Sequence, residues 1–301
     1  MILCELSGLI KIAKESLQKM KRYTLKCKRK DLTMKLVLLG DLHYPTLESS
    51  DAEGIQIRNT LFQTLFQCLA EEKADAYICV GDLTNSGTLQ DLKNLIDLSE
   101  LLNSPFYFVM GNHDTYGCSK EDFIKISQKK RYYAVDMPQA NLYFVDTTLE
   151  SRVDDWIGIM DDEEYLWLQE KVRKSTKPIF IIAHHPVSNT TRRSDERKLQ
   201  LHENMWDILN QKPKGIYING HNHLHSIVKQ RGWLFIQTGD FLSHLDYRIL
   251  CFDGHRGTIE TKSLKDRLVG VDQLTQKMKR YTKYSDLSYP NEDLNCEFIL
   301  E

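Results

Sequence analysis

The 301-residue chain predicts an α/β fold: two mixed β-sheets packed face to face, flanked by α-helices on the outside. Three observations point there. Five short apolar runs, prominent in Val, Ile, Phe and Tyr, have the composition of buried strands. Stretches with helical apolar spacing lie between them, and alternating strand and helix implies parallel strands. Further strand-like runs follow one another without helices, which implies antiparallel pairs and hence mixed sheets.

The first 33 residues stand apart. Leu6, Leu9, Ile10, Ala13, Leu17 and Met20 form an apolar-periodic stretch, followed by a basic run from Lys19 to Lys30. A secretory signal places its charge before its apolar region, the reverse of this order. Residues 1–33 read as a surface helix with linker, upstream of a domain that begins near Met34. A basic amphipathic helix lying on a membrane through residues 1–30 is the alternative, and a targeting peptide the third.

The domain spans 34–264. Its buried strands are Lys35–Leu39, Ala76–Val80, Phe106–Met110, Ile179–Ala183 and Gly215–Asn219. Helices are expected over Ile55–Glu72, with Leu61, Leu65, Phe66 and Leu69 in register, and over Leu89–Leu102. Asp161–Lys174 opens with acids and closes with bases, as a helix dipole prefers, so its acidic run marks a helix start and not a calcium cluster. Leu201–Leu209 is a shorter helix. Tyr132–Asp136, Leu142–Asp146, Leu234–Thr238, Arg248–Phe252 and Thr258–Ser263 are the antiparallel candidates. Residues 265–301 form a polar tail expected to be peripheral. The heptapeptide QKMKRYT at Gln18–Thr24 recurs at Gln276–Thr282 without a wider repeat and reads as coincidence.

Bulk properties exclude several classes. A net charge of -2 offers no global basic field for nucleic acid. The seven cysteines are odd in number, scattered and free of any CxxC pair, which argues against a disulfide framework or a zinc–thiolate site and for a reducing cytoplasm. No apolar run reaches the roughly 18–20 residues that cross a bilayer.

Function concentrates where the strands end. Ligands of open α/β sheets bind beyond the carboxyl ends of the strands. There the chain sets Asp41 and His43, Asp82, Asn112 with His113 and Asp114, His184 with His185, and His221 with His223. Carboxylates, an amide oxygen and imidazoles are the ligands expected of zinc, manganese or iron. The pairs Asp41/His43 and His221/His223 are two apart, so in an extended strand end both members point one way. Gly40, Gly81, Gly111 and Gly220 precede ligands and permit close backbone approach. A single Asp after a strand is usually a turn former; the five-fold set reverses that reading. His185 is evenly balanced between a site role and packing. Tyr44, beside the first block, lines the pocket or packs. Arg192 and Arg193 lie in a polar loop at the site's edge, where a guanidinium would meet a phosphate or simply solvent.

The blocks GDLH (40–43), GDLTNSG (81–87), GNHD (111–114), AHHP (183–186) and GHNH (220–223) resemble, in order, those of the calcineurin-like metallophosphoesterase superfamily, notably its bacterial cyclic-nucleotide phosphodiesterases. The resemblance covers roughly residues 34–260. It implies the four-layer metallophosphoesterase sandwich. It also implies one metal held by Asp41, His43, Asp82 and His223, and a second held by Asp82, Asn112, His184 and His221, with Asp82 bridging. The two ions would be divalent or trivalent: Mn, Fe or Zn. His184 takes the ligand position because it stands two places before Pro186. His113 would act near the scissile ester as general acid or electrostatic stabiliser, oriented by Asp114. Two cations about 4 Å apart lower the pKa of a shared water, and the bridging hydroxide would attack phosphorus in line. The expected activity is hydrolysis of a small-molecule phosphomonoester or phosphodiester, including cyclic nucleotides. A nuclease or a non-catalytic scaffold of the same fold are the alternatives.

Overall fold

A computed structural model describes residues 33–150, 153, 155–196, 199–200, 205–265, 270–279 and 293–300. The elements run β1 (Met34–Leu39), α1 (Ala52–Ala70), β2 (Ala76–Cys79), α2 (Leu89–Ser99), β3 (Phe106–Phe108), a 3-10 turn (His113–Thr115), α3 (Lys120–Ser127), β4 (Tyr133–Asp136), β5 (Asn141–Phe144) and β6 (Gly158–Ile159). They continue α4 (Asp162–Lys174), β7 (Ile179–Ile182), β8 (Leu199–Gln200), α5 (Met205–Leu209), β9 (Gly215–Asn219), β10 (Ser226–Gln230) and β11 (Trp233–Gln237). The last are α6 (Phe241–His244), β12 (Asp246–Phe252), β13 (Arg256–Ser263), α7 (Val271–Lys279) and β14 (Cys296–Ile299).

Two six-stranded mixed sheets result, ordered β14-β13-β12-β1-β2-β3 and β10-β11-β9-β7-β5-β4. In the first, β1, β2 and β3 are parallel and β12 to β14 antiparallel. In the second, β5, β7, β9 and β11 are parallel, with β4 and β10 antiparallel at the edges.

Strand periodicity explains the layers. Leu36 and Leu38 of β1 join Ile78, Phe144, Phe180, Ile182 and Ile218 in the core between the sheets. Val37 and Leu39 point the other way, into a core shared with Leu61, Leu65 and Phe66 of α1 and Leu92 of α2. Ile181, Tyr217 and Phe235 of the second sheet pack outward against Leu168 of α4 and Ile208 of α5. Each central strand is therefore covered on both faces, which is why it reads as a continuous apolar run.

The helix starts follow their caps. Asp161 Oδ1 accepts from the Glu164 backbone N–H at 2.9 Å, and the first turn of α4 is acidic while its last is basic. Within the described residues the acidic run is thus a helix start.

Some expectations change. β11 pairs parallel with β9, and an unforeseen hairpin strand, β10, supplies its antiparallel neighbour. The residues after 264 are not simply peripheral. Val271, Leu274 and Met278 of α7 enter the core beneath α1, and β14 completes the first sheet, burying Phe298 and Leu300. Composition conceals this because only one face of each element is apolar. The expectations for residues 1–32, membrane contact included, and for Leu201–Asn204 lie outside the described residues. No described helix is long and apolar enough to cross a membrane.

Candidate metal centre

The carboxyl ends of β1, β2, β3, β7 and β9 meet at one rim of the sandwich, so ligands far apart in sequence become neighbours. Their turns are laced together. The His43 N–H donates to the Asp82 carbonyl at 2.8 Å, and the Gly220 N–H to the His184 carbonyl at 3.1 Å. The His113 N–H donates to Asp82 Oδ1 at 2.9 Å, and the His221 N–H to Asp41 Oδ2 at 2.9 Å. Backbone crowding needs glycine: a Cβ on Gly111 would stand 2.1 Å from Asp82 Oδ1, and one on Gly220 2.2 Å from Asp41 Oδ1. His43, Asp82, His221 and His223 all adopt positive φ, between 43° and 72°. Non-glycine residues held there store about 1–3 kcal/mol each, a pattern associated with functional sites.

Two groups of donor atoms converge. In the first, His43 Nε2 lies 3.1 Å from His223 Nε2, and His223 Nε2 lies 3.2 Å from Asp41 Oδ2. In the second, His184 Nε2 lies 3.1 Å from both Asn112 Oδ1 and His221 Nδ1. Asp82 stands between them, with Oδ2 at 3.6 Å from His43 Nε2 and Oδ1 at 3.5 Å from His184 Nε2. Donors about 2.1 Å from a common ion at right angles sit about 3 Å apart, so these separations fit metal coordination. Among the described residues nothing donates a hydrogen bond to the buried Asp41 Oδ1, which also suits a cation. His184 Nδ1 donates to the Val80 carbonyl at 2.9 Å, leaving the Nε2 lone pair to face the centre.

Burial pushes the Asp41 carboxyl up, opposed chiefly by its hydrogen bond to His223. Burial holds His43 well below the ordinary histidine range, and the neighbouring imidazoles add to this. Burial also opposes the charge on His223, yet the Asp41 carboxylate and Asp240 lift it above its usual value. A buried carboxylate among crowded imidazoles is a site whose charges favour an added cation.

The remaining predicted residues sort differently. His113 is part-buried, its ring 4.6 Å from that of His43, and its Nδ1 donates to the Asn85 carbonyl at 2.7 Å. Asp114 was expected to orient His113. Instead its two oxygens accept from the Leu83, Thr84 and Gly111 N–H groups and the Thr84 hydroxyl, binding the second block to the third. Tyr44 does not line the pocket: it is 1% exposed, packed on Phe62 with the Arg58 guanidinium over its ring. His185 is buried beside the second group, its Nδ1 2.8 Å from the Thr147 hydroxyl and its ring 4.3 Å from that of His221. Its donor atom falls in one potential metal cluster with those of His184 and His221, whereas Asn112 Oδ1 and Asp82 Oδ1 approach His184. Arg193 pairs with Glu196, and its carbonyl accepts from Asn222 Nδ2 at 3.2 Å, so the arginine loop abuts the turn bearing His221 and His223.

Sequence reasoning overlooked three supports. Asn85 acts through its carbonyl, which every residue carries, so nothing marked it. Gln237 accepts from Thr191, Asn219 and Asn222 and donates to the Arg192 carbonyl, joining the loop to the fifth block. Tyr116 meets Asn112 one turn away, a spacing the sequence did contain.

Comparison with known proteins identifies the family and the fold. A family model described as calcineurin-like phosphoesterase matches residues 34–225. The chain is 24% identical over 203 residues to the probable glycerophosphodiester phosphodiesterase GpdQ of Arcobacter nitrofigilis, covering 64% of this chain and 72% of that protein. It is 24% identical over 198 residues to a 3',5'-cyclic-nucleotide phosphodiesterase of Nostoc, with coverage of 64% and 72%. Its fold resembles that of a dimetal phosphatase from Danio rerio, with a TM-score of 0.60 at 13% identity over 76% of this chain and 96% of the other.

Proposed function

The chain belongs to the calcineurin-like phosphoesterase family, and from that premise we propose that it hydrolyses small-molecule phosphoesters, phosphodiesters foremost, at a two-metal centre. Asp41, His43, Asp82 and His223 would hold one ion, and Asp82, Asn112, His184 and His221 the other. The observation that carries this reading is the pair of donor groups at 3.1–3.2 Å spacing with Asp82 between them. Bound there, the ions supply Lewis acidity and a nucleophilic water at neutral pH.

The chain's own residues supply the rest. Asp82 would serve both ions with one negative charge, and Asn112 would coordinate without adding one. With its Nδ1 proton held by the Asn85 carbonyl, His113 keeps Nε2 for the substrate side. Protonated, it donates from Nε2 to the departing oxygen. The loop that carries Arg192 and Arg193 abuts the turn of His221 and His223; Arg193 is paired with Glu196, so Arg192 is the better candidate for a phosphate contact. Relatives named for diester substrates support the phosphodiester reading, and the net charge of -2 speaks for a small substrate over nucleic acid.

The test is a substrate panel on Mn²⁺-loaded protein: an aryl phosphate, an aryl diester, a glycerophosphodiester and a cyclic nucleotide. Turnover of a diester is expected. Asn112→Ala should lose one ion per chain. His113→Ala should keep both and slow the reaction by about 10²–10⁴-fold, most for alkyl leaving groups. A fully loaded protein that turns over none of the four overturns the proposal.

A further inference from the structure

Asn112 differs from the proposed carboxylate ligands in one chemical respect. A carboxylate offers a cation two equivalent oxygens, whereas an amide offers one oxygen and one NH₂ group. The NH₂ repels a cation and needs its own acceptor when it is shielded from water. Asn112 is buried, and its Oδ1 lies 3.1 Å from His184 Nε2, toward the second donor group. Its Nδ2 points the other way and donates to the Tyr116 hydroxyl at 2.5 Å.

The local fold holds that hydroxyl in place. The Thr115 N–H bonds the Asn112 carbonyl and the Tyr116 N–H bonds the His113 carbonyl, both at 3.3 Å, so the 3-10 turn sets Tyr116 one turn beyond Asn112. The Tyr116 ring rests on that of His113, with centroids 4.6 Å apart. The chain therefore brings a rigid acceptor to the NH₂ end of the single amide among the proposed ligands.

We propose that Tyr116 is a positioning residue for the second metal: its hydroxyl takes up the Asn112 NH₂ and so presents Oδ1 to the ion. The bond also draws electron density toward Oδ1, since donation from an amide N–H polarises the carbonyl. The inference rests on the two-metal reading and adds to it a residue outside the five sequence blocks. Tyr116→Phe removes the hydroxyl and keeps the ring on His113, so loss of packing does not confound the result.

The experiment is Mn²⁺ binding by the full chain, read by equilibrium dialysis and by the spin coupling of paired Mn²⁺ in electron paramagnetic resonance. Two variants are compared with the parent: Tyr116→Phe and Asn112→Ala. Tyr116→Phe is expected to weaken the second Mn²⁺ by about 10–100-fold and to leave the first unchanged. Tyr116→Phe binding both ions like the parent, while Asn112→Ala loses one, overturns the inference and spares the two-metal reading. Retention of both ions by Asn112→Ala overturns the reading itself and the inference with it.

Discussion

Replacing Gly111 by alanine leaves every proposed ligand chemically intact and adds one methyl group where the second and third blocks cross. The new Cβ would stand 2.1 Å from Asp82 Oδ1 and 2.2 Å from the Asp82 backbone nitrogen, against an ordinary contact that begins at 3.4 Å. The neighbours must move apart by more than 1 Å. The nitrogen cannot swing aside as a side-chain tip does, and Asp82 already holds a φ of +46°. The His113 N–H also binds the oxygen that must leave. The Asp82 carboxylate should therefore shift off the line between the two donor groups. A misplacement of about 1 Å costs about 10²-fold in rate, and the overpacking about 1–3 kcal/mol in stability. Turnover of an aryl diester at saturating Mn²⁺, metal content and a thermal melt measure these together. Gly254→Ala is the control: its φ is +102° but no atom lies within 4 Å, so it should cost stability and leave turnover alone. Parental turnover and metal content in Gly111→Ala would show that Asp82 is not shared between two ions.

Two further substitutions probe the supports. Asp114→Asn puts an NH₂ against N–H donors from Leu83, Thr84 and Gly111, and should cost about 1–3 kcal/mol in urea unfolding; an unchanged midpoint would refute its role in joining the turns. Burial, reinforced by the Asp146 carboxylate, pushes the Glu164 carboxyl up to about 9. A folded pKa above the unfolded value of about 4.3 means that the fold favours the protonated acid. Its stabilisation is full below that value and is lost as pH rises toward 9. Glu164→Gln should flatten the fall in stability between pH 5 and 9, and an identical slope in parent and variant would refute this.

The legibility of this chain in its sequence depended on what each residue contributes. Strands buried on both faces announce themselves through composition, and the ligands through residue type at strand ends. β10 and β14 did not stand out, because an edge strand with one solvated face carries polar residues such as Lys229 and Glu297. Asp114 was misread for another reason. Its neighbour in sequence is His113, but the 3-10 turn points its carboxylate at the backbone of residues 83 and 84, a direction set by tertiary contact. Tyr44 was undecided because a tyrosine fits either a pocket wall or a core, and only the packing of α1 over it decides.

The residues at the rim work against the fold that carries them. Positive φ at His43, Asp82, His221 and His223, and a buried Asp41 whose Oδ1 accepts no hydrogen bond among the described residues, are each unfavourable in a bare protein. The lacing between turns fixes them regardless, so the deficit is offset by the sandwich beneath and would be relieved by cations. Binding to the folded state alone adds RT ln(1 + [L]/Kd), about 2.7 kcal/mol at a hundredfold excess over Kd. Chelation should therefore lower the thermal midpoint, and Mn²⁺ should restore it in a concentration-dependent way. Hydrogen exchange locates the effect: amides of the turns at 41–43, 82–84 and 220–223 should lose protection on chelation, while β1, β7 and β9, sealed on both faces, should keep theirs. A midpoint indifferent to Mn²⁺ at that excess would mean that the strain is not relieved by metal, and that the donor groups are held together for the fold's sake alone.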